Sequence, residues 1–166
     1  MQSITDLLRS LETTALAATI KESPWAFPTI ESFHVIAAAL VVGTIAIVDL
    51  RLLGLASAGR AFTELSRDVL PWTWGAFVLA AFTGVLMFIS QPVGYFDNTA
   101  FRLKVLLLVC AGANMLVFHF VTQRGVATWD RAAVPAAGKI AGALSLAFWI
   151  AVVFFGRQIG FTMSPV

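Results

Sequence analysis

Charge is what this sequence most lacks. Only 12% of its 166 residues are Asp, Glu, Lys or Arg, while 59% are hydrophobic; soluble domains carry about 25% charged residues. A chain so poor in charge cannot cover a water-facing surface, which excludes an ordinary soluble domain and leaves the lipid bilayer as the solvent that fits. The net charge is +2 and the basic residues are scattered, which excludes a nucleic-acid-binding stripe. A single cysteine, Cys110, excludes a disulfide framework or thiolate metal site within one subunit; inside its apolar run it reads as helix packing. Phosphate loop, dinucleotide fingerprint, nucleophile elbow and zinc-protease motif are all absent. The length bounds the chain to one domain at most.

What is present is four apolar runs. They extend over about Thr29–Leu53, Pro71–Ser90, Phe101–Val121 and Pro135–Phe155, each close to the roughly 20 residues that cross about 30 Å of hydrocarbon. Pro28 suits a first helical turn, Gly54 and Gly156 suit helix ends, and Pro92 stops the second run. No run has a proline in its interior, which predicts straight helices. Trp25, Phe27, Tyr95 and Phe96 fall at one face and Trp72, Trp74 and Trp129 at the other, as interfacial aromatic belts do. Residues 1–22 read as an amphipathic helix capped by Ser3, with Ile4, Leu7, Leu8, Leu11 and Ala15 on one face. Such a helix lies in the membrane interface or packs on the bundle. The loop Ala56–Val69 suits a short amphipathic surface helix. The fold expected is all-α, an integral membrane four-helix bundle over 23–166 behind this amphipathic segment.

Four crossings put both ends on one side. The opposite connections hold Arg51, Arg60, Arg67, Arg124, Arg131 and Lys139, against Arg9, Lys21, Arg102, Lys104 and Arg157 on the terminal side. The positive-inside rule, applied to the short loops, places the ends outside the cytoplasm of a bacterial inner membrane.

Ionisable residues at membrane depth are functional candidates, although those near span ends can snorkel. Helix direction sorts them into two layers. Glu31, His34, Lys104 and Arg157 form one, with Met87 at similar depth, and Asp49, Arg51, His119 and Arg124 form the other. Asn114 lies between them and suits an interhelical hydrogen bond, with Gly43 a place for close approach. A histidine in such a bundle suits a haem or metal ligand, a proton relay or a polar contact. Depth argues against one haem clamped by His34 and His119 of the same subunit, since at a 1.5 Å rise they differ by roughly 20 Å. His34 could ligate a haem in its own layer, opposite Met87, Lys104 or no protein group. His119 could ligate a second haem, or the histidines could meet a neighbouring subunit.

The stretch Trp25-Ala26-Phe27-Pro28, with Glu31, His34, Gly43 and Asp49-Leu50-Arg51-Leu52-Leu53-Gly54, resembles an uncharacterised family of bacterial four-helix membrane proteins. Pro71-Trp72, Thr83-Gly84, Asn98, Phe101, Lys104, Asn114, His119 and Gly156-Arg157 continue the resemblance over nearly all the chain after the first 20 residues. A more distant similarity reaches copper-resistance D-type domains and the J-type protoporphyrinogen oxidase, a b-haem protein, through an early-helix histidine, a second-helix glycine and a lysine opening the third helix. It implies haem b at His34 with Lys104 nearby. The chain lacks the histidine- and tyrosine-rich ends of that oxidase's first helix, so porphyrinogen oxidation is not carried over.

Three functions compete. The first is a membrane b-type haem protein, with one or two haems per subunit, in electron transfer or porphyrin-linked redox chemistry with an unidentified redox partner. Arg102, Lys104 or Arg157 would then pair with propionates, and Trp149 is placed to pack on the macrocycle. The second is a small proton or metal-cation transporter using Glu31, His34 and Asp49. Copper fits less well, because it favours more sulfur ligands than four Met and one Cys offer. The third is a structural subunit of a homo-oligomer, packed through Ala37, Ala38, Ala39, Gly43, Gly142 and Ser145.

Overall fold

The computed structural model describes residues 2–57 and 59–163, with side chains from residue 4. The described residues hold helices and turns and no strand. Two short helices, α1 (Gln2–Glu12) and α2 (Ala15–Glu22), precede the long α3 (Ala26–Leu53) and α4 (Phe62–Ser90). After α5 (Pro92–Asp97) comes α6 (Thr99–Val117), whose axis continues through a π-helical turn at Phe118–Thr122 and a 3-10 turn at Gln123–Gly125. The short α7 (Val126–Trp129) and the long α8 (Ala136–Thr162) complete the chain. Four stretches are long and apolar enough to cross a membrane: Ala26–Leu53, Phe62–Ser90, Thr99–Trp129 and Ala136–Thr162. The 28 residues of α3 make about 42 Å of helix at 1.5 Å per residue, so these spans outrun the hydrocarbon. Val35, Ile36, Leu40, Phe82, Val85, Val109, Val117, Ile150 and Val153 point outward, an apolar girdle that only lipid would tolerate. The protein is a multi-pass, all-α membrane bundle.

The helices pack in the order α4, α3, α8, α6. α4 and α6 scarcely approach along their backbones; aromatic side chains bridge them instead. Phe88 stacks on Phe101 at the α5 end, with centroids 5.6 Å apart, and Phe62 meets Phe118 edge-on at 5.6 Å at the α7 end. Glycine explains why α3 and α8 come so close. A Cβ on Gly142 would stand 3.1 Å from both the Asp49 carbonyl oxygen and Leu52 Cβ. Gly142 and Ala37, the latter wholly buried, are therefore used inside the subunit, contrary to the expected role between subunits. Gly43 has open space around it and admits no helix of the same chain. α6, whose only buried residue is Ala111, is tied to α8 by two amides: Asn114 Nδ2 donates to the Ala141 carbonyl at 2.9 Å and Asn98 Nδ2 to Thr162 Oγ1 at 2.8 Å.

Several boundaries differ from expectation. The Ala56–Val69 loop does contain a helix, but that helix is the start of α4, so Pro71 lies inside α4. The missing N–H at Pro71 leaves the Arg67 carbonyl without its helical donor. α8 does not stop at Gly156, which sits inside it for a packing reason given below. Gly54 does end α3, in the left-handed region at φ 76°. The amphipathic segment is two helices, broken at Thr13-Thr14, where the Thr14 hydroxyl accepts from Ala17 N; the cap assigned to Ser3 rests on a side chain outside the described ones. α1 and α2 pack on α5, α4 and α3, burying Leu8, Ala17 and Ile20, while Ile4, Leu7 and Leu16 stay exposed. Tyr95 and Trp129 turn inward, 6% exposed each, rather than joining the belts.

Candidate functional site

The polar layer at the α5 end is built around His34, about two turns inside α3. Its Nδ1 lies 2.9 Å from the Ala80 carbonyl and 3.1 Å from Thr83 Oγ1 on α4. A carbonyl only accepts, so Nδ1 carries the proton and donates. Thr83 gives its own proton to the Leu79 carbonyl at 2.7 Å, leaving a lone pair turned to the same Nδ1–H. The ring is thus fixed from one side, and Nε2 is the basic nitrogen. It faces Lys104 Nζ on α6 at 3.4 Å, so a lysine amine donates to it across the bundle.

Two glycines make room for this pair. A Cβ on Gly84 would stand 3.1 Å from His34 Cε1, which presses the ring against bare α4 backbone. A Cβ on Gly156 would stand 3.6 Å from Lys104 Nζ, so the lysine stem lies along α8 where a side chain is missing. That is why Gly156 sits in mid-helix. Of the groups sequence reasoning overlooked, the Ala80 carbonyl gives no sequence signal. The Thr83-Gly84 dipeptide does, since a helix that places a hydroxyl beside a missing Cβ can seat a ring.

The other candidates of this layer stand apart from the pair. Glu31 is exposed, near enough to Tyr95 for its charge to act on the phenol. Burial first, and Glu31 second, push the Tyr95 hydroxyl up to about 12. Arg102 donates to the Phe96 carbonyl at 2.6 Å and stands 3.5 Å from Asp97 Oδ1. Arg157 covers the Phe161 ring at 4.5 Å. Met87 and Trp149 are half-buried, and neither reaches a His34 nitrogen within hydrogen-bonding distance. Asn98 is a structural cap, accepting from Phe101 N at 3.0 Å.

The layer at the α7 end is divided rather than assembled. Asp49 and Arg51 are 4% and 2% exposed but do not pair. Arg51 donates to the Arg60 carbonyl at 2.8 Å and the Asp130 carbonyl at 3.1 Å, while Asp49 turns towards Ser145 and leaves Oδ2 without a partner. His119 is exposed on the π-helical turn, with Nδ1 2.8 Å from Gln123 Oε1. Asp130 caps α4 from a distance: its Oδ1 accepts from Thr63 N and its Oδ2 from Thr63 Oγ1, both at 2.8 Å. The backbone N–H of Thr63 is the main reason its carboxyl sits below the usual range. Among the described residues no cluster of three or more His, Cys, Asp or Glu gathers for a metal ion. Comparison with protein-family models, with curated proteins and with solved structures gives no match to this chain.

Proposed function

We propose that the protein is a membrane-embedded b-type haem protein working in electron transfer or porphyrin-linked redox chemistry, with His34 as the residue that would hold the haem. The observation that carries this reading is the fixed His34 ring, whose Nδ1–H is spent on the Ala80 carbonyl. Ligating histidines nearly always hold their second nitrogen in this way, which sets the tautomer and raises the basicity of the ligand nitrogen. The donor set also suits haem better than a bare metal ion, because a porphyrin supplies four nitrogens and asks only one or two of the protein. A bound haem would supply one-electron redox chemistry in an apolar site.

The chain's own residues have three tasks in this reading. Ala80 and Thr83 orient the imidazole. Gly84 leaves room for the ring edge against α4. Lys104, whose amine fills the space before Nε2 at 3.4 Å, would have to move on its flexible stem to admit a haem, and its ammonium would be a counter-charge for a carboxylate. Arg102 and Arg157, exposed at the same end, are further cations for propionates. His119, exposed and bonded to Gln123, lacks such a seat, so one haem per subunit is favoured over two.

Protein purified from haem-replete cells is expected to show a Soret band that shifts on dithionite reduction. His34→Ala should abolish it, while His119→Ala should leave it. A Soret band unchanged in His34→Ala would falsify the assignment. A second reading, proton or cation passage, draws on the buried Asp49 with its unpartnered Oδ2. Flux into proteoliposomes that vanishes in Asp49→Asn and survives His34→Ala would favour it. The bacterial inner membrane, the non-cytoplasmic ends and homo-oligomers belong to the proposal, the last supported by the open Gly43 face.

A further inference from the structure

A shallow recess lies away from His34, at the α7 end of the seam between α4 and α6. It is a cleft of about 400 Å³ lined by Thr63, Ser66, Arg67, Leu70, Pro71, Trp74 and Gln123. All but Gln123 come from one face of α4; Gln123 is brought to it by the π-helical and 3-10 turns that end the third span. π-turns recur at functional sites because they re-aim the residues after them.

The chemistry of the lining changes along α4. Leu70, Pro71 and Trp74 are apolar, and Trp74 continues into Phe77 through an edge-on contact at 5.9 Å, towards mid-membrane. One turn the other way stand Arg67, Ser66 and Thr63, beyond the apolar run that starts at Pro71. Arg67 makes no ion pair or hydrogen bond among the described residues, whereas its charged neighbours are engaged: Arg60 with Asp68 at 2.7 Å and Glu64 with Arg131 at 3.9 Å. Asp130 is held by Thr63 N and Oγ1, so the Thr63 hydroxyl is spent. Gln123 uses Oε1 to accept from His119, which leaves its amide N–H groups to donate. The buried Ser66 hydroxyl has no partner. The cleft therefore joins free donors and an uncompensated cation at headgroup depth to an apolar wall running into the hydrocarbon.

We infer that this cleft binds an anionic phospholipid, its phosphate on Arg67 and the Gln123 amide and its acyl chain along Leu70, Pro71 and Trp74. A phosphate diester offers the acceptor oxygens that guanidinium and amide donors satisfy. The apolar wall selects a lipid over a soluble anion. Basic groups at the membrane surface draw anionic lipid, each by a factor of roughly five.

The test uses the full-length protein, delipidated in a zwitterionic detergent and titrated with phosphatidylglycerol, phosphatidylcholine or inorganic phosphate, with retained lipid counted by native mass spectrometry. Phosphatidylglycerol is expected to be retained in preference to phosphatidylcholine. Arg67→Gln should weaken that retention roughly five-fold and Gln123→Ala should weaken it less, while Arg9→Gln, at the other end of the molecule, should not change it. Arg67 is exposed, so its substitution leaves the fold intact, which circular dichroism checks. Equal retention of the two lipids, or an Arg67→Gln protein that retains phosphatidylglycerol like the wild type, overturns the inference. Inorganic phosphate that displaces the lipid at equal concentration reassigns the site to a soluble anion and overturns it as well.

Discussion

At the scale of single residues, the molecule's polar side chains are specified by what they have lost from their surroundings. His34 and Lys104 each lie against a glycine; His34 is bonded to α4 through one ring nitrogen and to Lys104 on α6 through the other. Tyr95 is the one tyrosine in the chain, so its ionisation can be read by ultraviolet titration without interference. Its hydroxyl should titrate near 12 instead of its ordinary 10.0, because burial and the Glu31 charge both disfavour phenolate. The folded value is raised, so whatever stability the neutral phenol supports is intact below pH 10 and is lost as pH climbs from 10 to about 12. Glu31→Gln should lower the midpoint only partly, since burial is the larger cause. A midpoint at 10 in the folded protein would show that the ring is solvated.

At the scale of helices, two glycines that look alike in sequence differ in consequence. Gly142→Ala inserts a methyl group against the α3 backbone and should destabilise the fold by about 1–3 kcal/mol, the usual cost of overpacking. Gly43→Ala meets open space and should be neutral or stabilising by up to about 1 kcal/mol through helix propensity. Unfolding in mixed micelles measures both, and equal effects would mean that the α3–α8 approach is looser than described. The four spans themselves were legible because a run of apolar residues long enough to cross lipid has few other uses. The His34–Lys104 layer was legible too, since the first and third spans run the same way and both residues lie near the start of their helix. Pro71 misled because proline usually marks a helix start, yet a membrane helix whose carbonyl at Arg67 is left free tolerates it inside. Gly156 misled for the opposite reason: its missing side chain serves Lys104 rather than a helix end. The partners of Arg51 are backbone carbonyls, which no residue type announces.

At the scale of the whole molecule, an open row of helices closed by aromatic contacts at its two ends explains how so little is buried while the fold stays specified. With four crossings, α1 and the α3–α4 connection lie on opposite faces. In a Cys110→Ser background, cysteines placed at Arg9 and at Ser57 should react with an impermeant maleimide from opposite sides of sealed vesicles, and labelling of both from one side would rule out the four-span reading. The α4–α6 seam leaves room for the lipid contact argued above, and the tight α3–α8 contact holds the two halves together. The His34–Lys104 pair and the cleft at Arg67 sit at opposite ends of the seam, joined by α4 and by the third span.

The remote cap on α4 bears on how the chain is made. Asp130 supplies the first turn of α4 with its acceptor and Arg51 with one of its two carbonyls, yet it lies 67 residues further along the chain than Thr63 in that turn. A ribosome that has delivered the first two spans has produced a helix whose start is still short of this cap and an arginine with half its acceptors. Synthesis runs from the N-terminus at about 5–20 residues per second, so that state lasts for seconds. The α7 end of the first hairpin therefore waits for the third crossing, and until Asp130 is in place Arg51 lacks one of its two acceptors.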